Sequence, residues 1–165
     1  MTAMPTRPPH LFVDISSHGF GHLAQVAPVL NELVRLRPDV RISVRSALDE
    51  ARLRARIHGA FEHIAGRSDF GFVMHDSLSI DRLASGEAYR AQHANWTLHV
   101  ADEAALLTSR RAYLVLCDVA YLPLAGAAHA AIPALAMSSL NWADLFAHYF
   151  GEEDWAPPVH EQMLA

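Results

Sequence analysis

The sequence predicts an α/β fold: a Rossmann-like three-layer sandwich around a parallel sheet of about five strands in the order 3-2-1-4-5. Three observations predict it. Strand-like and helix-like segments alternate along the chain. Short loops join most of them, which suits right-handed crossovers. The residues best suited to chemistry follow the first and fourth strands, the pair that flanks the crevice in such an order.

Residues 1–9 hold three prolines and read as a flexible lead-in. Leu11 to Ser16 is the first strand, and 17–21 is a turn with two glycines. Val26, Val29, Leu30, Leu33, Val34 and Leu36 follow a 3.6-residue period, so 22–37 is a helix that Pro38 stops. Val40, Ile42 and Val44 alternate with Arg41, Ser43 and Arg45, which predicts a strand over 40–45 with one wetter face. A short helix over 49–58 and a third strand over 61–65 follow. Residues 66–79 have no period, and long connections of that kind often carry function. A single long helix is expected over 85–110, a central apolar strand over 113–117, and a small-residue helix over 121–131. The fifth strand is read over 134–137 and a last helical segment over 142–150, which closes a domain of residues 10–150. Residues 151–165 read as a polar tail or the start of an interdomain segment.

Composition narrows the function. The chain has 165 residues, 52% of them apolar and only 19% charged, enough for a substantial core and too apolar for disorder. Eighteen acidic residues against thirteen basic give −5 at neutral pH, and every basic residue is Arg. A nucleic-acid-binding module is normally net basic, so no nucleic-acid partner is expected. Cys117 is the only cysteine, which excludes an intramolecular disulfide and a thiolate metal cluster. The first ten residues lack an apolar signal-peptide core, and no apolar run reaches about 18 residues. The expected location is cytoplasmic. The low charge fraction leaves room for an apolar face meant for another domain or for self-association.

The segment Ser16-Ser17-His18-Gly19-Phe20-Gly21-His22 joins the first strand to the first helix. Its glycines let backbone approach a ligand, the helix N-terminus offers free N–H groups, and two imidazoles can supply a base near neutral pH. It has neither the spacing of the dinucleotide fingerprint nor the Lys of a P-loop. A plain helix-starting turn is the structural alternative. Asp118 ends the fourth strand, where it can fix the tautomer of His22 or cap the next helix. Arg67 and Asp69 lie on the loop after the third strand, as a cleft wall or as solvent-facing residues. Asn141 and Trp142 follow the fifth strand, and the indole can stack on a sugar ring or close the core edge. His18 and His22 lie across a turn rather than along a helix, and no metal site is expected. No cofactor is called for.

The turn His18-Gly19-Phe20-Gly21-His22 resembles the glycine-rich first loop in the N-terminal half of GT-B glycosyltransferases. The likeness is to the group related to the lipid-II-forming N-acetylglucosaminyltransferase and to the N-terminal region of L-arabinokinases. Ser17 stands where a first glycine is typical. Further matches are Ser68-Asp69-Phe70-Gly71, Val115-Leu116-Cys117-Asp118, Ile132-Pro133 and Asn141-Trp142, in order along nearly the whole chain. The resemblance implies an acceptor-binding domain, with a nucleotide-sugar donor held by a C-terminal domain that this length does not accommodate. By the same resemblance His22 is the general base and Asp118 its partner. His18, Gly19, Phe20, Gly21, Arg67, Asp69, Asn141 and Trp142 are candidates to contact a sugar, lipid or small-molecule acceptor. The expected function is acceptor binding in sugar transfer to a hydroxyl. The alternative is a non-catalytic Rossmann-like sugar- or nucleotide-binding or regulatory module, and a third reading uses the same pair in a hydrolase or epimerase.

Overall fold

The structure is a computed structural model that describes residues 8–19, 21–69, 71–76 and 78–164. Five parallel strands form one sheet in the order 3-2-1-4-5, as the alternation predicts. They are β1 (His10–Ile15), β2 (Arg41–Ser46), β3 (Glu62–Ala65), β4 (Leu114–Asp118) and β5 (Ala134–Ala136). The helices are α1 (Gly21–Leu36), α2 (Glu50–Arg54), α3 (Arg82–His93), α4 (Trp96–Ser109), α5 (Leu122–His129), α6 (Trp142–Phe150) and α7 (Ala156–Leu164). Among the described residues no helix is long and apolar enough to cross a membrane.

The two-residue period of β1 builds both layers. Leu11, Val13 and Ile15 share a core cluster with Leu23, Val26 and Leu30 of α1 and Leu53 of α2. Phe12 belongs to the other cluster, with Val115 and Cys117 of β4, Leu107 of α4 and Ala127 of α5. A third cluster, rich in aromatic rings, gathers Phe72 and Tyr89 with Trp142, Phe146 and Phe150 of α6 and Val159 and Met163 of α7.

Four expectations change. β2 lies between β1 and β3, and its second face is wet only at Arg41: Ser43 and Arg45 are buried. The second helix is shorter than its pattern, running only through Glu50–Arg54 after the cap at Asp49, whose carboxylate accepts from the Arg52 N–H. The long helix over 85–110 is two helices, α3 and α4, that break at Ala94 and Asn95. Here His93 turns into a buried contact, its Nδ1 2.7 Å from Gln162 Oε1 and its Nε2 2.9 Å from the Tyr121 hydroxyl. Trp96, at the start of α4, stacks on the same imidazole at 5.0 Å between ring centroids. Finally, residues 156–164 are helical. Pro157 and Pro158 sit in the first turn of α7, where a missing N–H removes no helical hydrogen bond.

The segment from Met74 to Asp81 has local order at its described residues. Met74 and Ile80 pair as an isolated antiparallel bridge, and Asp76 accepts from the Leu78 and Ser79 N–H groups at 2.7 and 2.9 Å. Asp81 caps α3 by accepting from the Ala84 N–H at 3.0 Å.

α4 and α5 meet at Gly126. A Cβ there would lie 2.5 Å from Glu103 Cγ and 2.8 Å from Glu103 Cβ, too near the root of that side chain for a rotamer change to relieve. Gly126→Ala should therefore destabilise the fold by about 1–2 kcal/mol, since overpacking outweighs the gain in helix propensity. Urea unfolding reads this directly; an unchanged or raised midpoint would mean that α4 and α5 are not so closely packed.

Candidate functional site

β1 and β4 run side by side with Ile15 opposite Asp118, so both strands end at the same edge of the sheet. After β1 the chain turns at Gly19, whose φ of +101° suits glycine, and enters α1 at Gly21. Among the described residues, a Cβ at Gly19 or Gly21 would meet nothing within 4 Å, so they leave the space over the turn open. Phe20 and Phe70 lie outside the described residues.

His22, in the first turn of α1, meets Asp118 at the end of β4. Its Nδ1 lies 3.1 Å from Oδ1 and 2.9 Å from Oδ2. The imidazole N–H is aligned with Oδ1, and the fully buried Oδ2 has no hydrogen bond of good geometry despite its proximity. An ionised carboxylate can only accept, so Nδ1 carries the proton and Nε2 keeps its lone pair. The hydrogen bond to Asp118 raises the His22 pKa above its ordinary 6.5; burial opposes this, while the charges of Asp118 and Asp69 and the His18 carbonyl add to it. The carboxylate thus makes His22 a stronger base than a free imidazole, against the helix N-terminus, which disfavours a cation.

Asp118 is held by unusual backbone. Val119 has φ +59°, rare for a β-branched residue, and the Ala120 N–H donates to the Asp118 carbonyl at 2.7 Å, closing a γ-turn. Val119 is also 8% exposed, so its side chain contributes to packing. Val119→Gly should change stability by no more than about 1 kcal/mol, because strain relief of about 1–3 kcal/mol offsets the lost burial and the greater freedom of the unfolded chain. A loss above about 3 kcal/mol in chemical denaturation, typical of an unstrained core truncation, would show that the turn stores no strain.

The loop after β3 forms the neighbouring wall. Gly71 has φ +62° and packs so closely that a Cβ would lie 2.9 Å from His18 Cγ and 2.9 Å from Trp142 Cη2. His18 meets the Trp142 ring edge-on at 5.3 Å, and burial lowers its pKa. Trp142 is 3% exposed, so it closes the core edge and has no open face for a sugar. Its Nε1–H donates to Asp69 Oδ2 at 2.7 Å, tying the start of α6 to the β3 loop. Asn141 is exposed and caps α6: its Oδ1 accepts from the Asp144 N–H at 2.7 Å, and its amide donates to Asp144 Oδ2 at 2.6 Å. Arg67 is exposed at the rim of a cleft that Asp69 also lines.

That cleft, of about 760 Å³, opens between the β3 loop, α3, α4 and the start of α5. Phe72, Leu106 and Leu122 give it apolar walls, and Glu103 reaches its floor. His22 is not part of its lining; Asp69 and Trp142 stand between the two, with the Trp142 ring 6.3 Å from that of His22.

Beneath the cleft lies a buried charge cluster that local sequence pattern misses. Arg45 Nε donates to Asp14 Oδ2 at 2.5 Å, and its two terminal nitrogens donate to both oxygens of Glu103 at 2.8 and 2.7 Å. The Ser68 hydroxyl donates to Asp14 Oδ1 at 2.7 Å. Burial pushes the Asp14 carboxyl up against the pull of Arg45 and Ser68. Burial alone would lower the Arg45 pKa, but Asp14 and Glu103 together raise it. The cluster joins β1, β2, α4 and the β3 loop.

No protein-family model matches the chain. It is 28% identical over 143 residues to L-arabinokinase of Arabidopsis thaliana, covering 82% of this chain and 13% of that protein. Among solved structures it resembles the glycotransferase of kitacinnamycin, with a TM-score of 0.60 and 18% identity over 93% of this chain and 38% of that one. It also resembles CalG4, the calicheamicin glycosyltransferase, with a TM-score of 0.58 and 17% identity over 96% of this chain and 41% of that one. A third is UGT2 of Phytolacca americana, solved with UDP-2fluoro-glucose and pterostilbene, at 0.52 and 15% over 92% and 35%. The chain therefore spans less than half the length of each. At these identities the likeness establishes a fold that GT-B glycosyltransferases share.

Proposed function

We propose that the chain is the acceptor-binding side of a glycosyltransferase that moves a sugar from a nucleotide-sugar donor to an acceptor hydroxyl with inversion. The observation that carries this reading is the His22–Asp118 contact at the shared edge of β1 and β4, beneath an open glycine turn. The fold shared with glycosyltransferases supports it.

In the reaction, an acceptor O–H points at His22 Nε2. As its oxygen attacks the anomeric carbon, the proton passes to Nε2 and the bond from that carbon to the diphosphate oxygen breaks. The leaving nucleoside diphosphate keeps the bonding electron pair. One displacement inverts the anomeric centre. Asp118 remains ionised, holds the Nδ1–H and stabilises the imidazolium that forms. The free N–H groups at the start of α1 favour the developing negative charge of the diphosphate, and a donor-binding domain on another segment or chain supplies its other contacts. Trp142, Gly71 and His18 position the wall, and Asp69 faces the acceptor from the cleft. Neither a metal nor a cofactor enters this scheme.

Release of UDP from UDP-glucose with tyrosol as acceptor, by the chain with a donor-binding partner domain, tests the reading. Release that depends on His22 supports it, and release undiminished in His22→Ala overturns it.

A further inference from the structure

The cleft between the β3 loop, α3 and α4 has a charge character that the proposed chemistry does not require. Its walls are largely apolar. Its polar lining includes three acidic residues, Asp69, Asp102 and Glu103, against one arginine. Asp69 is 6% exposed, and the partner on its Oδ2 is the neutral indole N–H of Trp142. Asp102 is exposed on α4 along the same lining. Glu103 is already paired with the guanidinium of Arg45, which it shares with Asp14. Arg67 at the rim is the only arginine among the described lining residues, and His99 is the only lining histidine. The balance is net negative, in a space that also offers an apolar surface.

We propose that this cleft selects an amphiphilic amine as acceptor: an apolar or aromatic body that carries an ammonium group at the end remote from the hydroxyl to be glycosylated, with anionic molecules of the same shape disfavoured. This rests on reading the site as an acceptor site. The ammonium is attracted by Asp69 and Asp102 without displacing Arg45, and the apolar body covers Phe72 and Leu122. An anion would meet the same carboxylates with only Arg67 to offset them.

Three matched phenols test the charge preference without a donor: tyramine (cation), tyrosol (neutral) and 4-hydroxyphenylacetate (anion). Each is titrated into the chain at about pH 7.5, where an amine is protonated and a carboxyl ionised, and binding is read by amide NMR shifts of the cleft residues. Tyramine should bind roughly threefold or more tighter than tyrosol, and the anion weakest. Added salt should narrow the gap. Asp69→Asn keeps an oxygen for the Trp142 N–H, and Asp102→Asn alters an exposed position; each should shrink the preference for tyramine. Equal or tighter binding of the anion, a preference unchanged in both variants, or no saturable binding of any of the three up to about 10 mM would overturn the proposal. Failure here leaves His22-dependent transfer intact, whereas failure of His22→Ala to reduce transfer leaves the charge order intact, so the two readings fall separately.

Discussion

Sugar transfer by His22→Ala should be slower than wild type by roughly 10²–10⁴-fold, the usual worth of a positioned general base. In the proposed reaction the imidazole takes the acceptor proton, and alanine leaves the buried Asp118 without its contact to Nδ1. Asp118→Asn should slow transfer less than this or about as much, because the imidazole remains but its proton is no longer fixed on Nδ1. In both variants the acceptor affinity should change far less than the rate, since the base acts on a proton that moves only in the transition state. Initial rates and acceptor titrations on the same preparations separate the two effects. A loss confined to affinity would make the turn a binding element.

Arg45→Met should cost about 3–5 kcal/mol of stability, the largest effect expected of any single replacement in the sheet. It leaves Asp14, 2% exposed, and Glu103, 6% exposed, as buried carboxylates without their shared cation. The deficit should shrink as the pH falls and the orphaned carboxyls take up protons, because the uncompensated charge is what destabilises. Replacing the whole group, with Asp14→Leu and Glu103→Leu added, should recover most of the loss, since a buried ion cluster is rarely better than apolar packing of similar volume. Urea midpoints across an acid series measure this. A loss under about 1 kcal/mol for Arg45→Met would mean that the cluster is as wet as a surface ion pair.

This cluster marks where sequence reading stops. The 3.6-residue period of 22–37 and the apolar strand before Asp118 are local signals, and both appear in the structure as α1 and β4. The sheet order follows from them by handedness and short connections. The alternation over 40–45 gives the correct pleat but the wrong surroundings for Arg45, because its partners come from β1 and from α4, 58 residues further along the chain. No window shows such a pairing, although a lone Asp14 in an apolar strand is a hint. The break between α3 and α4 escapes for a similar reason: His93 is bound by Tyr121 and Gln162, both remote in sequence. The prolines of α7 read as breakers unless their place in the first turn is known.

The site was more legible than its supports. His22 and Asp118 meet as the strand order allows, since Asp118 ends β4, His22 opens the helix that follows β1, and those strands are neighbours. The link from Trp142 to Asp69, and the cleft wall on α3 and α4, depend on how an aperiodic loop folds over the sheet. Composition carries no trace of that.

The most direct measurement is the titration of the His22 imidazole, followed by nitrogen-detected NMR in the wild-type chain and in Asp118→Asn. The expected result is a neutral form protonated at Nδ1 and a pKa above 6.5 in the wild type, which falls when the carboxylate is removed. A raised pKa also means that protonated His22 stabilises the fold fully below about pH 6.5 and that this contribution fades as the pH rises through the folded value. The wild type should therefore lose that increment on raising the pH, and Asp118→Asn should not. A His22 that carries its neutral-form proton on Nε2, or that titrates at or below 6.5 alike in both proteins, would contradict the pairing on which the proposed transfer chemistry depends.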